Sequence, residues 1–192
     1  TPNRALMIGL HESNAVFSFA ERLRERLPDI ALLPVEGTRL LARLMPEAAQ
    51  GWAMMVSRQK SGGTRQIVTF KNDLVFTRLT PLPPADGNEA ETVARDIKAS
   101  LDYLARLGLR DPKELSVLLL MPNDMHRHSA FNGFSLKAIK SISPLQAARF
   151  LALPVSEFDD NNSADTLFAS LFLSQLRPLL PLMLPEMRKS YV

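Results

Sequence analysis

Three short stretches hold residue types that could do chemistry. Lys60-Ser61-Gly62-Gly63-Thr64 puts an ammonium, hydroxyls and glycines side by side, a mix whose turn amides can cradle a phosphate. It is not the lysine-bearing phosphate loop, which needs its glycine-lysine-serine order at a strand-to-helix junction, and a flexible hairpin turn explains the same residues. Asp124, His126 and His128 bring together a carboxylate and imidazoles. Histidines two apart point to different faces of a helix and the zinc spacings are absent, so an exposed loop is the simpler reading. Asp159, Asp160 and Asp165, with asparagines at 161 and 162, form an acidic cluster. The calcium-loop spacing, with its central glycine and closing glutamate, is not there, which leaves a solvated loop. Ser13, Ser57 or Ser129 would each need a positioned histidine and acid to act as a nucleophile, and no glycine-x-serine-x-glycine elbow occurs. The residues thus assign no catalytic, cofactor-binding or metal-binding site, and no cofactor is expected.

The first of these stretches lies inside the segment that organises the chain, Gly51 to Pro81. Ile67, Val68, Phe70, Leu74, Val75 and Phe76 are β-formers bounded by turn residues, which predicts three successive short antiparallel strands. Lys71-Asn72-Asp73 is short enough to close a hairpin, and Lys60 to Gly63 supplies glycines for the turn before it. Ahead of this segment, Ala5 to Leu10 reads as a buried strand. Val16, Phe19, Leu23 and Leu27 mark a helix capped at Ser13 or Asn14 and ended by Pro28. Ile30 to Val35 reads as a second strand, and Glu36-Gly37-Thr38 as the turn into a helix carrying Leu40, Leu41 and Leu44. The expected geometry is a parallel pair with a right-handed crossover.

Beyond Pro81 the pattern alternates helix with strand. Pro81 to Gly87 is a connector; Val93, Ile97, Leu101 and Leu104 then mark one face of a long helix with Glu89 and Glu91 at its positive end and Gly108 after it. Leu115 to Met121 suits a central strand buried on both faces. A short helix is predicted over Met125 to Gly133, a strand over Leu136 to Ile142 and a helix over Pro144 to Leu153. Glu157 to Asp165 is a polar acidic loop, Thr166 to Leu176 a hydrophobic helix, and the residues after it an apolar tail with prolines at 178, 181 and 185. The fold class expected is α/β, with a mixed five-stranded sheet opened by three antiparallel strands. The organisation expected is a small β-α-β-α portion over 1–50, a main α/β subdomain over 51–176 and a tail over 177–192.

Composition narrows the function classes. With 192 residues, 46% hydrophobic, the chain can bury a sizeable core. Its 23 basic and 20 acidic residues are interspersed and net only +3, which does not resemble the basic stripe of a nucleic-acid binder. The absence of cysteine removes disulfides and thiolate metal sites and fits a reducing compartment. No run approaches the roughly 20 apolar residues of a membrane helix, and Ala5 to Leu10 is too short for a signal peptide. A chain that starts at Thr1 without methionine fits a piece of a longer protein.

Several phrases in this order carry a resemblance. They are Leu32-Leu33-Pro34-Val35-Glu36, the helix Thr38 to Met45, the hairpin closing in Phe76-Thr77-Arg78, and the helix Ile97-Lys98-Ala99-Ser100-Leu101-Asp102-Tyr103. The chain resembles the actin-like ATPase fold, also called ribonuclease H-like, over Ala5 to Leu173. More narrowly, it looks like the cytoplasmic actin-like protein of type IV pilus assembly and the cytoplasmic domain of the L component of type II secretion. In that family a phenylalanine-serine-arginine phrase ends the hairpin, and an arginine-serine-leucine-glutamate-tyrosine phrase runs along the helix.

The departures from that family decide the expected chemistry. ATPases of this fold carry an aspartate-isoleucine-glycine phrase followed by serine or threonine, where the carboxylate works through a divalent metal. The corresponding stretch here, Met54 to Thr64, has no aspartate. The glycine pair that cups adenine is missing from Leu118 to Pro122, and the first half of such a fold is largely absent. No ATP hydrolysis is therefore expected. The resemblance implies a noncatalytic scaffold at the cytoplasmic side of the inner membrane, docking other pilus or secretion assembly proteins without nucleic acid, and a homo-oligomer is compatible with it. Arg188 and Lys189 would suit the cytoplasmic flank of a membrane anchor lying outside this chain. The hairpin Ile67 to Leu79 and the apolar run Leu179 to Met187 are the expected docking surfaces. The alternative implied by the same resemblance is an ATP-binding protein of the same assembly, with the missing loops supplied from elsewhere in the protein.

Overall fold

The strand Trp52–Gln59 (β1) is buried along most of its length on both faces, as its run Trp-Ala-Met-Met-Val demands. Its two edges are paired differently. It runs antiparallel to β2 (Gly63–Phe70) and parallel to β4 (Leu115–Leu120), so that Met55 lies opposite Ile67 on one side and Leu118 on the other. β3 (Asp73–Pro81) adds antiparallel to β2, and β5 (Ala138–Ile142) adds parallel to β4. The result is a five-stranded mixed sheet of order β3-β2-β1-β4-β5. This is the α/β class expected from the sequence, a mixed sheet opened by three antiparallel strands.

The structure, a computed structural model, describes residues 37–59, 63–81, 88–121, 125–153 and 164–174. They fall within one compact unit, Val35–Gln175; the other, Thr1–Pro34 with Leu176–Val192, lies outside the described residues. So do the strands expected at Ala5 to Leu10 and Ile30 to Val35, the helix after Ser13, the connector before Asn88, most of the acidic loop and the apolar tail.

Helices cover both faces of the sheet. On one face α1 (Gly37–Leu44), α3 (Pro144–Phe150) and α4 (Ala164–Ser174) bury Leu40, Leu41, Ala147, Ala148 and Leu167 against Ala53, Met55, Ile67, Leu118 and Leu120. On the other face α2 (Glu89–Arg106) packs Val93, Ala94, Ile97 and Leu104 onto Met54, Val56, Val68, Val117 and Leu119. Alternate residues of β1 and β4 thus serve opposite cores, the period-two rule of a strand.

Local chemistry sets the element ends. Asn88 caps α2 by accepting from the amides of Ala90 at 3.0 Å and Glu91 at 3.4 Å. At its other end Gly108 takes φ +109°, and the amide of Leu109 donates back to the Leu104 carbonyl at 3.0 Å, a Schellman closure. The β2–β3 hairpin turns on Lys71 and Asn72 alone, at φ 53° and 68°, the left-handed pair of a two-residue turn matched to strand twist. Ser143 and Gln146 form a capping box ahead of α3.

Two expectations shift. The helix predicted over Met125 to Gly133 is a pair of short 3-10 turns, Met125–Arg127 and Ser129–Phe131. His128 separates them, extended at φ −62° and ψ 142°, because its ring accepts from the Ala130 amide and caps the second turn. Gly63, expected in the turn, is the first residue of β2, where an added Cβ would stand 2.7 Å from the Thr80 carbonyl oxygen.

Ala152 closes α3 at φ 55°, with the Leu153 amide donating to the Ala148 carbonyl at 2.9 Å. An L-residue with a Cβ is disfavoured there, so Ala152→Gly should raise stability by about 0.5–1 kcal/mol in urea unfolding, with an unchanged slope. Gly63→Ala should lower it by roughly 1–3 kcal/mol in the same assay, because the clash is with backbone rather than a movable side chain.

Candidate functional site

In open α/β sheets, ligands bind outside the carboxyl ends of the strands where the strand order reverses. Here that point lies between β1 and β4, since the chain leaves β1 toward β2 on one side and returns through α2 to β4 on the other. β1 ends there in Ser57, Arg58 and Gln59. Ser57 is fully buried, opposite Leu120, and the Gln59 side-chain amide donates to its hydroxyl at 3.1 Å. Arg58 stands on the other face, 3.7 Å from the Glu89 carboxylate at the start of α2. Among the described residues, the switch point is thus furnished with a neutral hydroxyl–amide pair and a cation facing an anion.

The hairpin side of α2 is unusually polar for a core. The Ser100 hydroxyl donates to the Gln66 side-chain oxygen, with both residues fully buried. Arg78 reaches Asp96 through its Nη2, 3.2 Å from the backbone carbonyl and 3.7 Å from Oδ1. The Thr77 hydroxyl donates to the Gln66 carbonyl at 2.9 Å. Phe76 packs edge-on against Tyr103 with centroids 5.3 Å apart. Gln66 Nε2, Arg78 Nε, Asp96 Oδ2, Glu89 Oε1 and Thr64 Oγ1 are buried without a hydrogen-bond partner among the described residues. Unspent donors and acceptors of this kind each cost about 1–3 kcal/mol, so the seam fixes where α2 sits along the hairpin more than it adds stability.

Of the residues singled out from sequence, those that are described do not come together in one site. Lys60, Ser61, Gly62, Asp124, Asp159, Asp160 and Ser13 lie outside the described residues. His126 Nδ1 is 2.5 Å from the Ser141 hydroxyl of β5, while His128 caps Ala130 and has its Nε2 3.5 Å from Asn88 Nδ2. The two rings therefore serve different neighbours and do not form a chelating pair. Among the described residues no group of three or more His, Cys, Asp or Glu side chains could hold a metal ion. Ser57 is bonded to Gln59 rather than to a histidine, Ser129 opens a 3-10 turn, and Asp165 lies in the first turn of α4. The serine that does meet a histidine, Ser141, was not signalled, because the pairing joins positions 15 apart through a sheet register that the sequence does not display.

Other features frame these groups. An open groove of about 590 Å³ runs between α2 and the 130–135 segment, with Ala94, Leu101, Ala130 and Phe134 as its apolar lining and Glu91, Arg95 and Lys98 at its rim. Lys140 lies 2.9 Å from Glu47 and, by that hydrogen bond, holds the Glu47 carboxyl below its ordinary range. The pair ties β5 to the turn after α1. Its small, solvent-screened contribution is present above the ordinary carboxylate range and is lost as pH falls through the lowered value. No helix among the described residues is long and apolar enough to cross a membrane.

No protein-family model and no curated protein matches the chain. Among solved structures, a protein of Bacteroides thetaiotaomicron described as having an actin-like ATPase fold and unknown function is similar, with a TM-score of 0.43 and 11% sequence identity. The similarity covers 66% of this chain and 46% of that one, so this chain spans less than half of that protein's length.

The polar seam makes a sharp expectation. Arg78→Met should cost about 1–3 kcal/mol in urea unfolding, because it strands the Asp96 carboxylate; the loss stays below that of a fully buried pair since the Arg78 side chain is 36% exposed. Adding Asp96→Leu to Arg78→Met should recover most of it. An Arg78→Met protein as stable as the parent would remove the ion pair from the account of how α2 is held.

Proposed function

We propose that this chain is a noncatalytic scaffold domain, built on an actin-like frame, that docks other proteins of a membrane-associated type IV pilus or type II secretion assembly. The observation that carries the reading is the Gln59–Ser57 hydrogen bond at the switch point, where a metal-dependent phosphoryl-transfer site of this fold would carry a carboxylate. The assembly setting rests on the sequence resemblance. Two of the phrases that bear it, Phe76-Thr77-Arg78 and the helix from Ile97 to Tyr103, meet in space: Phe76 packs on Tyr103, and Arg78 reaches Asp96 just ahead of Ile97. What those phrases encode is the clasp between hairpin and helix, a structural element and not a chemical one.

A scaffold acts through its surface. Phe70, Leu74 and Leu79 are exposed on the β2–β3 hairpin, and Tyr103 and Leu107 are exposed near the end of α2. Apolar groups gathered on an edge hairpin favour contact with a partner. The inner-membrane location expected from the resemblance would come from an anchor outside this chain.

The test is a thermal melt with magnesium and ATP in large excess. The midpoint should stay within about 1 °C of the ligand-free value. A ligand at 100 times its dissociation constant adds about 2.7 kcal/mol, several degrees for a chain of this size, and a rise of that order would replace the scaffold with the ATP-binding alternative. Leu74→Glu combined with Leu79→Glu should leave the melt unchanged while weakening co-purification with the assembly's inner-membrane proteins.

A further inference from the structure

Glu91, Ala94, Arg95, Lys98 and Leu101 recur at the spacing of one stripe of α2 and form one wall of the open groove of about 590 Å³, with Phe134 on the other. The stripe changes character across its width. Ala94 and Leu101 belong to the apolar floor, buried and half-buried, while Glu91, Arg95 and Lys98 are exposed at the rim. Glu91 stands four residues before Arg95, the spacing of a helix ion pair, yet the two are not paired. The Glu91 carboxylate instead accepts from the Asn88 side-chain amide at 3.2 Å, and the Arg95 guanidinium donates to the Thr92 hydroxyl at 3.3 Å. Neither Arg95 nor Lys98 is ion-paired among the described residues. An apolar floor edged by two cations with no anion of their own is complementary to a ligand that carries apolar and acidic groups together.

We infer that this groove binds a short extended acidic segment of another protein, in which one apolar residue stands between two carboxylates. Arg95 and Lys98 are three apart on α2, which sets their Cβ atoms about 5–6 Å from each other. Side chains two apart in an extended chain point the same way at a spacing of about 6.5 Å, and the one between them points the opposite way. Two carboxylates at that interval meet the two cations along the rim while the side chain between them enters the floor beside Leu101 and Phe134. An apolar anchor in a pocket, flanked by charge pairs, is the arrangement that concentrates binding free energy at an interface. The stretch of α2 from Glu91 to Leu101 spans roughly 15 Å, the length of four or five extended residues. A groove of that length that stays open suits a chain lying along it better than a small molecule, which needs enclosing. Binding here does not require the scaffold reading or the β2–β3 hairpin: either can fail without the other.

The test pans a phage-displayed library of random heptapeptides against the immobilised full chain and measures the recovered peptides by fluorescence anisotropy. They should carry two aspartates or glutamates with an apolar residue between them. Affinity should fall about tenfold or more when both acids become amides, when the apolar residue becomes alanine, or when the chain carries Arg95→Glu with Lys98→Glu. Added salt should weaken binding as well. The double variant should in turn bind peptides with lysines in place of the acids about tenfold more tightly than the parent chain does. Both substituted positions are exposed, and a thermal melt checks the fold. If the reversal fails to fold, Arg95→Gln with Lys98→Gln replaces it, with the same loss expected for the acidic peptides. Recovery of no peptide above background overturns the inference. So do recovered peptides without the acidic pattern, or acidic ones whose affinity is indifferent to both double variants. Sedimentation velocity of the parent chain provides the control: self-association that the double variant abolishes would assign the groove to a second copy and overturn the inference too.

Discussion

Everything in this fold depends on β1 having no free side. Its residues from Trp52 to Val56 are buried above and below, and its edges are taken by an antiparallel neighbour and a parallel one. A strand so placed must satisfy two cores with alternate side chains and two ladders with alternate backbone groups. Met54 and Val56 therefore go to the α2 core, and Ala53 and Met55 to the α1 core. A slip of one residue would exchange the two sets, so the register is strongly specified. The change from antiparallel to parallel pairing across this one strand also creates the switch point at its carboxyl end.

How much of this can be read from sequence follows the range of the physics. The three antiparallel strands, the α2 stripe of Val93, Ile97, Leu101 and Leu104, and the apolar run of β4 are legible because periodicity and turn residues act locally. The break at His128 was not, since a capping ring and a helical ring look alike in one dimension. Nor was the seam under α2. Ser100 and Gln66 are 34 positions apart and Arg78 and Asp96 are 18, and a sequence reader assigns such charges and hydroxyls to solvent. The candidate site divides the same way. That β1 lacks a carboxylate is written in the chain, but that Gln59 turns back onto Ser57, and that His126 finds Ser141, are consequences of register and packing.

The seam also joins two short phrases of the sequence through ring packing and an ion pair. Phe76 and Arg78 are spaced so that both face α2 from β3, and Asp96 and Tyr103 lie seven apart, two turns along one helix face. Fold-level resemblance is then a report on packing, and chemistry has to be judged at the strand ends, where the described residues of β1 present the Ser57–Gln59 pair and Arg58 facing Glu89.

One irregularity matters to the life of the protein outside its folded, dilute state. β3 is a nine-residue edge strand, and between Val68 and Thr69 its pairing with β2 shifts register, leaving Val75 as an extra residue. A flat edge of that length bearing Leu74 and Leu79 would template the stacking of further chains into cross-β fibrils. A bulge of this kind bends a strand and increases its local twist, which works against the straight edge that such stacking needs. Among the described residues, the hairpin thus exposes apolar side chains beside a strand whose regular pairing is interrupted.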